Sequence, residues 1–138
     1  MNPKRIILHH SKTKDGQVVN WNSIRKYHIV DKQWNDIGYH FGIEKVIKRY
    51  EILMGRVPNR QGAHCRGQNH DSIGIVFVGD YDAGFVPNEQ WQMGVYLVKS
   101  LIDITCIRRE QVFGDRDFHP AKTCPGINFD IEAFRGQL

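Results

Sequence analysis

The chain has 138 residues, of which 41% are hydrophobic and 25% are charged, and its formal net charge is +4. This length suits one domain with a buried core, and the composition excludes a disordered or repetitive chain. The apolar run after the first basic residues is too short for a signal peptide, and no run reaches the roughly 20 apolar residues of a membrane span. We therefore expect one domain over residues 1–138, a monomer that is synthesised in the cytoplasm without a signal peptide and does not insert into a membrane.

The positive charge favours a polyanionic partner, such as nucleic acid, an anionic membrane surface or a bacterial cell wall. The basic residues are scattered and form no arm or aromatic-basic stripe, which disfavours direct nucleic-acid binding. The chain has three cysteines, Cys65, Cys106 and Cys124, and an odd number argues against a disulfide framework. Cys106 falls in an apolar helical pattern, so we expect it to be a small core residue.

The first predicted elements are a strand and a helix. Residues 5–9 form an apolar run that suits a buried strand. A helix is indicated behind a cap at Asn20 or Asn22. Its inner positions fall at helical spacing: Trp21, Ile24, Tyr27, His28 and Asp31.

Two paired strands and a long loop are predicted next. Residues 39–43 and 45–53 suit the strands, with Glu44 at the turn between them. Residues 55–69 are rich in glycine, asparagine and arginine, which is typical of a loop. Because long loops inside compact domains are usually functional, we expect this one to cover a site.

The second half of the chain predicts a central strand, a long helix and two short elements. Residues 72–78 are almost continuously apolar, which is typical of a strand buried on both faces. Pro87 opens a helix. The inner face of this helix is expected to hold Trp91, Val95, Val98, Leu101 and Ile102. With a short strand at 112–113 and a last helix over 129–134, the fold class is α/β, a single domain with a mixed central sheet and helices packed on its faces.

Three clusters combine metal-binding or titratable side chains with residues that bend the backbone. They are His9-His10, Gly38-Tyr39-His40-Phe41 and Lys122-Thr123-Cys124-Pro125-Gly126. A histidine at the end of a central strand is expected to point to the rim of the sheet, where open α/β sheets bind ligands, and imidazole is a common zinc ligand. Cys124 follows Lys122, whose charge is expected to lower the thiol pKa and favour the metal-binding thiolate. Alone, His9 also suits a structural histidine, and Cys124 a buried thiol or a nucleophile; together the clusters have the layout of a zinc hydrolase.

The order of these clusters resembles a known family. The matching segments are His9-His10-Ser11, Ile37-Gly38-Tyr39-His40-Phe41, Gly55-Arg56 with Gly62-Ala63-His64, Gly67-x-Asn69-x-x-Ser72-Ile73-Gly74-Ile75, and Arg116-Asp117-Phe118-His119-Pro120-Ala121-Lys122-Thr123-Cys124-Pro125-Gly126. This ordered set resembles the zinc-dependent N-acetylmuramoyl-L-alanine amidases, which include phage amidase-type endolysins, and the related peptidoglycan recognition proteins. The resemblance covers about residues 5–135.

The resemblance implies a zinc ion held by His9, Asp115 and Cys124. His9 and Cys124 match two ligands of the family, whereas the third is a histidine in a Gly-His-Arg-Asp-Phe stretch, and Asp115 stands in its place. A carboxylate oxygen binds zinc at about 2.0–2.2 Å, but its negative charge weakens the Lewis acidity of the ion. Three arrangements stay open: Asp115 binds zinc, His119 replaces it, or the site holds no metal. We expect Asp115 to be the ligand.

The resemblance, together with their chemistry, gives catalytic roles to Tyr39 and Lys122. Zinc would activate a water, Tyr39 would position this water or relay its proton, and Lys122 would stabilise the oxyanion. The implied reaction is hydrolysis of the amide between the lactyl group of N-acetylmuramic acid and L-alanine in peptidoglycan. By position in the long loop, Arg56, His64 and Asn69 are expected to bind the substrate.

A second function stays open because of Asp115. A degraded metal site would suit a protein that binds peptidoglycan or muropeptides without cutting them. Like an endolysin, an active enzyme would reach the cell wall in the periplasm or after lysis. His10 and His40 each follow a site residue on a strand, so alternation predicts that they face away from the site.

Overall fold

The computed structural model describes residues 1–13 and 20–138. The strands of this part of the chain are β1 (Arg5–His10), β2 (Phe41–Val46), β3 (Arg49–Met54), β4 (Ser72–Phe77) and β5 (Val112–Gly114). The helices are α1 (Trp21–Lys26), which continues as a π-helical turn over Tyr27–Asp31, α2 (Asn88–Thr105) and α3 (Ile131–Arg135). Within the same residues, no helix has the length and apolar character needed to cross a membrane.

The five strands form a mixed sheet in the order β3-β2-β4-β1-β5. β1 is parallel to β4 and β5, β2 is parallel to β4, and β2 and β3 form an antiparallel hairpin. Every residue of β4 is buried, as its apolar sequence predicts, because side chains cover both faces of the sheet centre. The predicted α/β class with one mixed sheet is confirmed.

The two faces of the sheet have different coverings. On one face, Ile6 and Leu8 of β1 belong to the main core with α2 and α3. On the other face, Val76 of β4 packs with Trp21 and Ile24 of α1. His9 pairs with Val76 in the parallel register and therefore lies on this second face, one residue before the carboxyl end of β1.

The hairpin β2–β3 differs from its prediction. Glu44 lies inside β2 opposite Glu51, and the turn is formed by Ile47 and Lys48. Glu44 is buried because its carboxylate accepts a hydrogen bond from the backbone N–H of Trp21, at the start of α1. The prediction that Glu44 lies at the turn is therefore wrong. Its carboxylate instead binds a backbone N–H at the start of a helix, where the first N–H groups have no partner within the helix.

Cys106 is exposed, so its prediction as a core residue is wrong. It ends α2 in the left-handed conformation, with φ +58, and its N–H donates to the carbonyl of Ile102. This conformation takes its side chain off the apolar face of the helix, which ends one residue earlier. Of the two caps considered for α1, Asn20 is the one observed, since its side chain accepts from the N–H of Ser23.

Candidate metal centre

His9 and Asp115 lie side by side because their strands are neighbours. β1 and β5 are parallel, and Leu8 of β1 pairs with Gly114 of β5. The residues that follow this pair, His9 and Asp115, are therefore neighbours. Cys124 joins them from the loop before α3, which is fixed to Asp115's own turn by a backbone hydrogen bond of 2.8 Å from Arg116 N–H to the Cys124 carbonyl. Local pairing thus brings together the three ligands predicted from the sequence.

The donor atoms of these residues have a spacing that suits a metal ion. His9 Nδ1 lies 3.6 Å from Cys124 Sγ, and one donor atom each of His9, Asp115 and Cys124 lies within 4.8 Å of the others. In a tetrahedral zinc site with Zn–N of about 2.05 Å and Zn–S of about 2.3 Å, nitrogen and sulfur are about 3.6 Å apart. A borderline-soft ion such as zinc also favours imidazole and thiolate. The residues therefore fit the ion that the family resemblance implies.

A chain of hydrogen bonds orients the His9 ring. Its Nε2 is 3.0 Å from His64 Nδ1, and His64 Nε2 is 3.4 Å from the Ser72 carbonyl. Since that carbonyl only accepts, His64 donates to it from Nε2 and accepts from His9 at Nδ1. The proton of His9 is then on Nε2, and Nδ1 is free to bind a metal. Hydrogen-bond partners of metal-binding histidines commonly fix the tautomer in this way. His64 occupies space that Gly74 leaves open, because a Cβ there would lie 2.4 Å from His64 Cγ.

Both oxygens of the Asp115 carboxylate have partners in this structure. His119 Nδ1 is 2.9 Å from Oδ1, and Lys122 Nζ is 3.1 Å from Oδ2. Asp115 is 3% exposed, whereas the Lys122 side chain is 53% exposed. Cys65 approaches from the long loop, with Sγ 3.8 Å from His119 Nδ1. Asp115 therefore belongs to two groups of potential metal donors, one with His9 and Cys124 and one with Cys65 and His119.

The protonation states follow from burial. Burial lowers the pKa of His9 to about 4, so its imidazole is neutral near pH 7. Burial acts to raise the pKa of Asp115, but His9 and hydrogen bonds from Cys65, His119 and Lys122 together lower it. Burial raises the pKa of the Cys124 thiol to about 12. The expected lowering by Lys122 is present but is outweighed by burial, so a metal ion that binds Cys124 has to displace the thiol proton.

Tyr39 lies beside the His9 ring. Its ring centroid is 5.3 Å from that of His9 and 5.6 Å from that of His28, which packs behind it. Burial, followed by the negative charges of Cys124 and Asp115, raises the pKa of Tyr39, so it is a neutral phenol that can donate a hydrogen bond.

Two neighbouring cleft regions meet at Tyr39. A cleft of about 420 Å³ is lined by the three candidate ligands together with Tyr39 and Lys122. A groove of about 370 Å³ along α1 is lined by Ser11, Tyr27 and again Tyr39. The predicted catalytic pair therefore lies at the wall of the cleft that holds the metal donors.

The three residues predicted to bind substrate make internal contacts. The Arg56 guanidinium donates to the backbone carbonyls of Ile37, Gln61 and Asp36. Asn69 Oδ1 accepts from the backbone N–H groups of His64 and Cys65 at 2.8 and 2.9 Å. These contacts fix the long loop, and His64 supports His9. Substrate binding by the three residues stays a prediction.

His10 pairs with Phe77 and its side chain therefore lies on the opposite face of the sheet from His9, as alternation predicts, whereas His40 precedes β2 and its ring centroid lies 5.6 Å from that of His64. His10 Nδ1 accepts from the Tyr81 N–H, and His40 Nδ1 accepts from the Gly74 N–H. Sequence reasoning missed the role of Arg116, whose guanidinium donates to the carbonyls of Gly126 and Phe129 and so holds the Cys124 loop. Its place in the matched segment beside Asp115 was the available signal.

The sheet order and the donor cluster define an α/β protein with a candidate metal centre on an open sheet face. Residues 1–127 match the family model of N-acetylmuramoyl-L-alanine amidase, and the chain belongs to this family. It is 37% identical over 103 residues to the endolysin of Escherichia phage T7, covering 70% of this chain and 65% of that protein. The chain thus spans slightly less than two thirds of the length of this curated relative.

Solved structures agree with the family. The N-acetylmuramoyl-L-alanine amidase LysC from Clostridium intestinale superposes with a TM-score of 0.81 at 28% identity, over 99% of this chain and 85% of that one. A tyrosine-to-phenylalanine mutant of Drosophila PGRP-LB, solved in complex with tracheal cytotoxin, superposes with a TM-score of 0.80 at 27% identity, over 96% and 80%. Enzymes and recognition proteins therefore share this fold.

Proposed function

We propose that the protein is a zinc-dependent peptidoglycan amidase that hydrolyses the amide between the lactyl group of N-acetylmuramic acid and L-alanine. The observation that carries the proposal is the 3.6 Å approach of His9 Nδ1 to Cys124 Sγ, with the Asp115 carboxylate within reach of both. The membership of an amidase family supplies the reaction class.

Zinc binding must overcome two existing interactions. Removing the Cys124 proton near pH 7 costs roughly 7 kcal/mol for a pKa of about 12. Zinc on the Asp115 carboxylate must also replace its ion pair with Lys122, in which Asp115 is buried and the Lys122 side chain is 53% exposed. Apparent zinc-binding free energies of structural sites reach about 10–16 kcal/mol, which is the scale of free energy that coordination of zinc can supply.

The side chains around the site then have separate tasks. Bound zinc would supply Lewis acidity toward the amide carbonyl and the attacking water. With Asp115 holding the ion, the Lys122 ammonium would no longer be paired with this carboxylate and would face the oxyanion that develops on the carbonyl. The Tyr39 phenol holds its proton and donates a hydrogen bond at the cleft wall, where it orients the water or the carbonyl. His64 holds the His9 ring in its orientation, and burial keeps this ring neutral.

The shape of the surface supports a polymeric or branched substrate. The metal cleft and the groove along α1 share Tyr39, so one substrate can extend through both while its amide lies between Tyr39 and Lys122. The scattered positive charge suits the carboxylates of peptidoglycan stems. The complex of a related recognition protein with tracheal cytotoxin also supports a ligand of this class.

The test is release of L-alanine amino termini from purified Gram-negative sacculi by the zinc-loaded protein. Cys124→Ser should remove this activity, and Cys106→Ser, at an exposed position outside the cluster, should retain it. Absence of new L-alanine amino termini with the zinc-loaded protein would refute the amidase function.

Non-catalytic binding of muropeptides is the second candidate. It is favoured by Asp115, which stands where the family has a ligand histidine and whose negative charge weakens the Lewis acidity of a bound zinc ion. Asp115→His separates the two candidates. If only this variant cleaves sacculi while both proteins bind them, the natural chain is a binding module.

A further inference from the structure

A second group of metal donors lies beside the first and shares Asp115 with it. Cys65 Sγ, His119 Nδ1 and an Asp115 oxygen lie within 4.8 Å of one another. Cys65 is 1% exposed and Asp115 is 3% exposed, so this is an interior cluster with fixed positions. The proposed function uses neither Cys65 nor His119.

We propose that Cys65, Asp115 and His119 form a second zinc site, and that the Asp115 carboxylate bridges two ions. Oδ1 of Asp115 faces His119, whereas Oδ2 faces Lys122, which lines the cleft with His9 and Cys124. The two oxygens thus point toward different donor pairs. Bridging carboxylates of this kind serve sites with two metal ions.

The spacing within the second group suits coordination. Cys65 Sγ is 3.8 Å from His119 Nδ1, close to the about 3.6 Å of nitrogen and sulfur around a tetrahedral zinc ion. His119 Nδ1 and Asp115 Oδ1 are 2.9 Å apart and need only a small separation to admit an ion. The His119 side chain is 25% exposed, which gives the ion a route from solvent.

The chain holds these donors in place from two sides. Asn69 accepts from the Cys65 N–H at 2.9 Å, which fixes the thiol in the long loop. His119 and Asp115 belong to one turn, since the His119 N–H donates to the Asp115 carbonyl at 3.0 Å. An ion here would therefore clamp the long loop to the turn after β5.

Proton accounting is simple and involves no redox change. The Asp115 carboxylate can only accept a hydrogen bond, so His119 donates to it from Nδ1. When Nδ1 binds zinc it gives up this proton, and the imidazole then carries its proton on Nε2. The Cys65 thiol releases its proton to solvent. Its pKa is raised by burial to about 12, the same as that of Cys124, so both thiols require the same displacement.

The second ion would also offset the charge of Asp115. One zinc with a thiolate, a carboxylate and an imidazole is formally neutral, whereas one with a thiolate and two imidazoles is positive by one unit. Two ions that share Asp115, with two thiolates and two imidazoles, are again positive by one unit. A pair of ions that share Asp115 would therefore have the same net charge as one zinc ion held by a thiolate and two imidazoles.

The three cysteines provide a matched test by zinc content and by the thiolate-to-metal charge-transfer band of the cobalt-substituted protein. The natural chain and Cys106→Ser should bind two ions. Cys65→Ser and Cys124→Ser should each bind one, and each should show about half the band, because each site has one thiolate. His119→Gln, which keeps both thiols, should also lose one ion, and far-UV circular dichroism checks that every variant folds.

The outcomes separate this inference from the proposed function. One ion that is lost in Cys124→Ser and kept in Cys65→Ser would overturn the second site and leave the amidase site standing. One ion that is lost in Cys65→Ser and kept in Cys124→Ser would instead overturn the ligand set of the amidase. A natural chain that binds no zinc would refute both.

Discussion

Acidification of the metal-free protein should expose the cost of burying His9. Its pKa in the folded chain is about 4, below the unfolded value of 6.5, so between these values the unfolded chain binds a proton that the folded chain does not. Stability is therefore complete above about pH 6.5 and is lost as the pH falls toward about 4. At about pH 5, this one group should lower the free energy of unfolding by about 2 kcal/mol.

The measurement is urea unfolding, followed by tryptophan fluorescence after chelator treatment, at about pH 7.5 and about pH 5. Between about pH 7.5 and about pH 5, the free energy of unfolding of the natural chain should fall by about 2 kcal/mol more than that of His9→Gln. His70→Gln is the control, because the His70 side chain is 66% exposed, and it should behave like the natural chain. An equal loss in the natural chain and His9→Gln would refute the burial argument for this ring.

Three substitutions test the supporting residues. Tyr39→Phe should lower kcat roughly 100-fold or more while zinc content is unchanged, because only the phenolic donor is lost; unchanged turnover would remove Tyr39 from the chemistry. Lys122→Met should lower kcat roughly 100- to 1000-fold with little change in KM; a change confined to KM would make Lys122 a binding residue. Gly74→Ala places a Cβ 2.4 Å from His64 Cγ, so isothermal titration should show zinc affinity reduced roughly 10- to 100-fold, and unaltered affinity would contradict the support of His9 by His64.

The sequence predicted the sheet and the convergence of ligands because these depend on patterns within the chain. The continuous apolar run of β4 reports burial on both faces, whereas the convergence of His9, Asp115 and Cys124 was implied by the resemblance that the ordered motifs carry. Contacts between distant side chains carry no such pattern. Nothing in the spacing of Glu44 indicates that it accepts from the N–H of Trp21, 23 residues away.

Protonation was the least predictable property of the site. Sequence proximity to Lys122 suggested a thiolate at Cys124, but the lysine is mostly exposed and burial dominates. The side on which His9 lies also required the strand register, since alternation fixes only that neighbours face opposite ways. Cys65 was not singled out, because it lies outside the matched motifs and its approach to His119 depends on how the long loop packs.

The separation of His9 and Cys124 along the chain determines when the ion can be acquired. They are 115 residues apart, so an unfolded polypeptide seldom brings both donors to one ion, and closing such a loop costs about 4 kcal/mol of entropy. Small zinc modules with closely spaced ligands use the ion to nucleate their structure. Here the sheet has to assemble first, and a nascent chain cannot close this site until Cys124 has emerged from the ribosome.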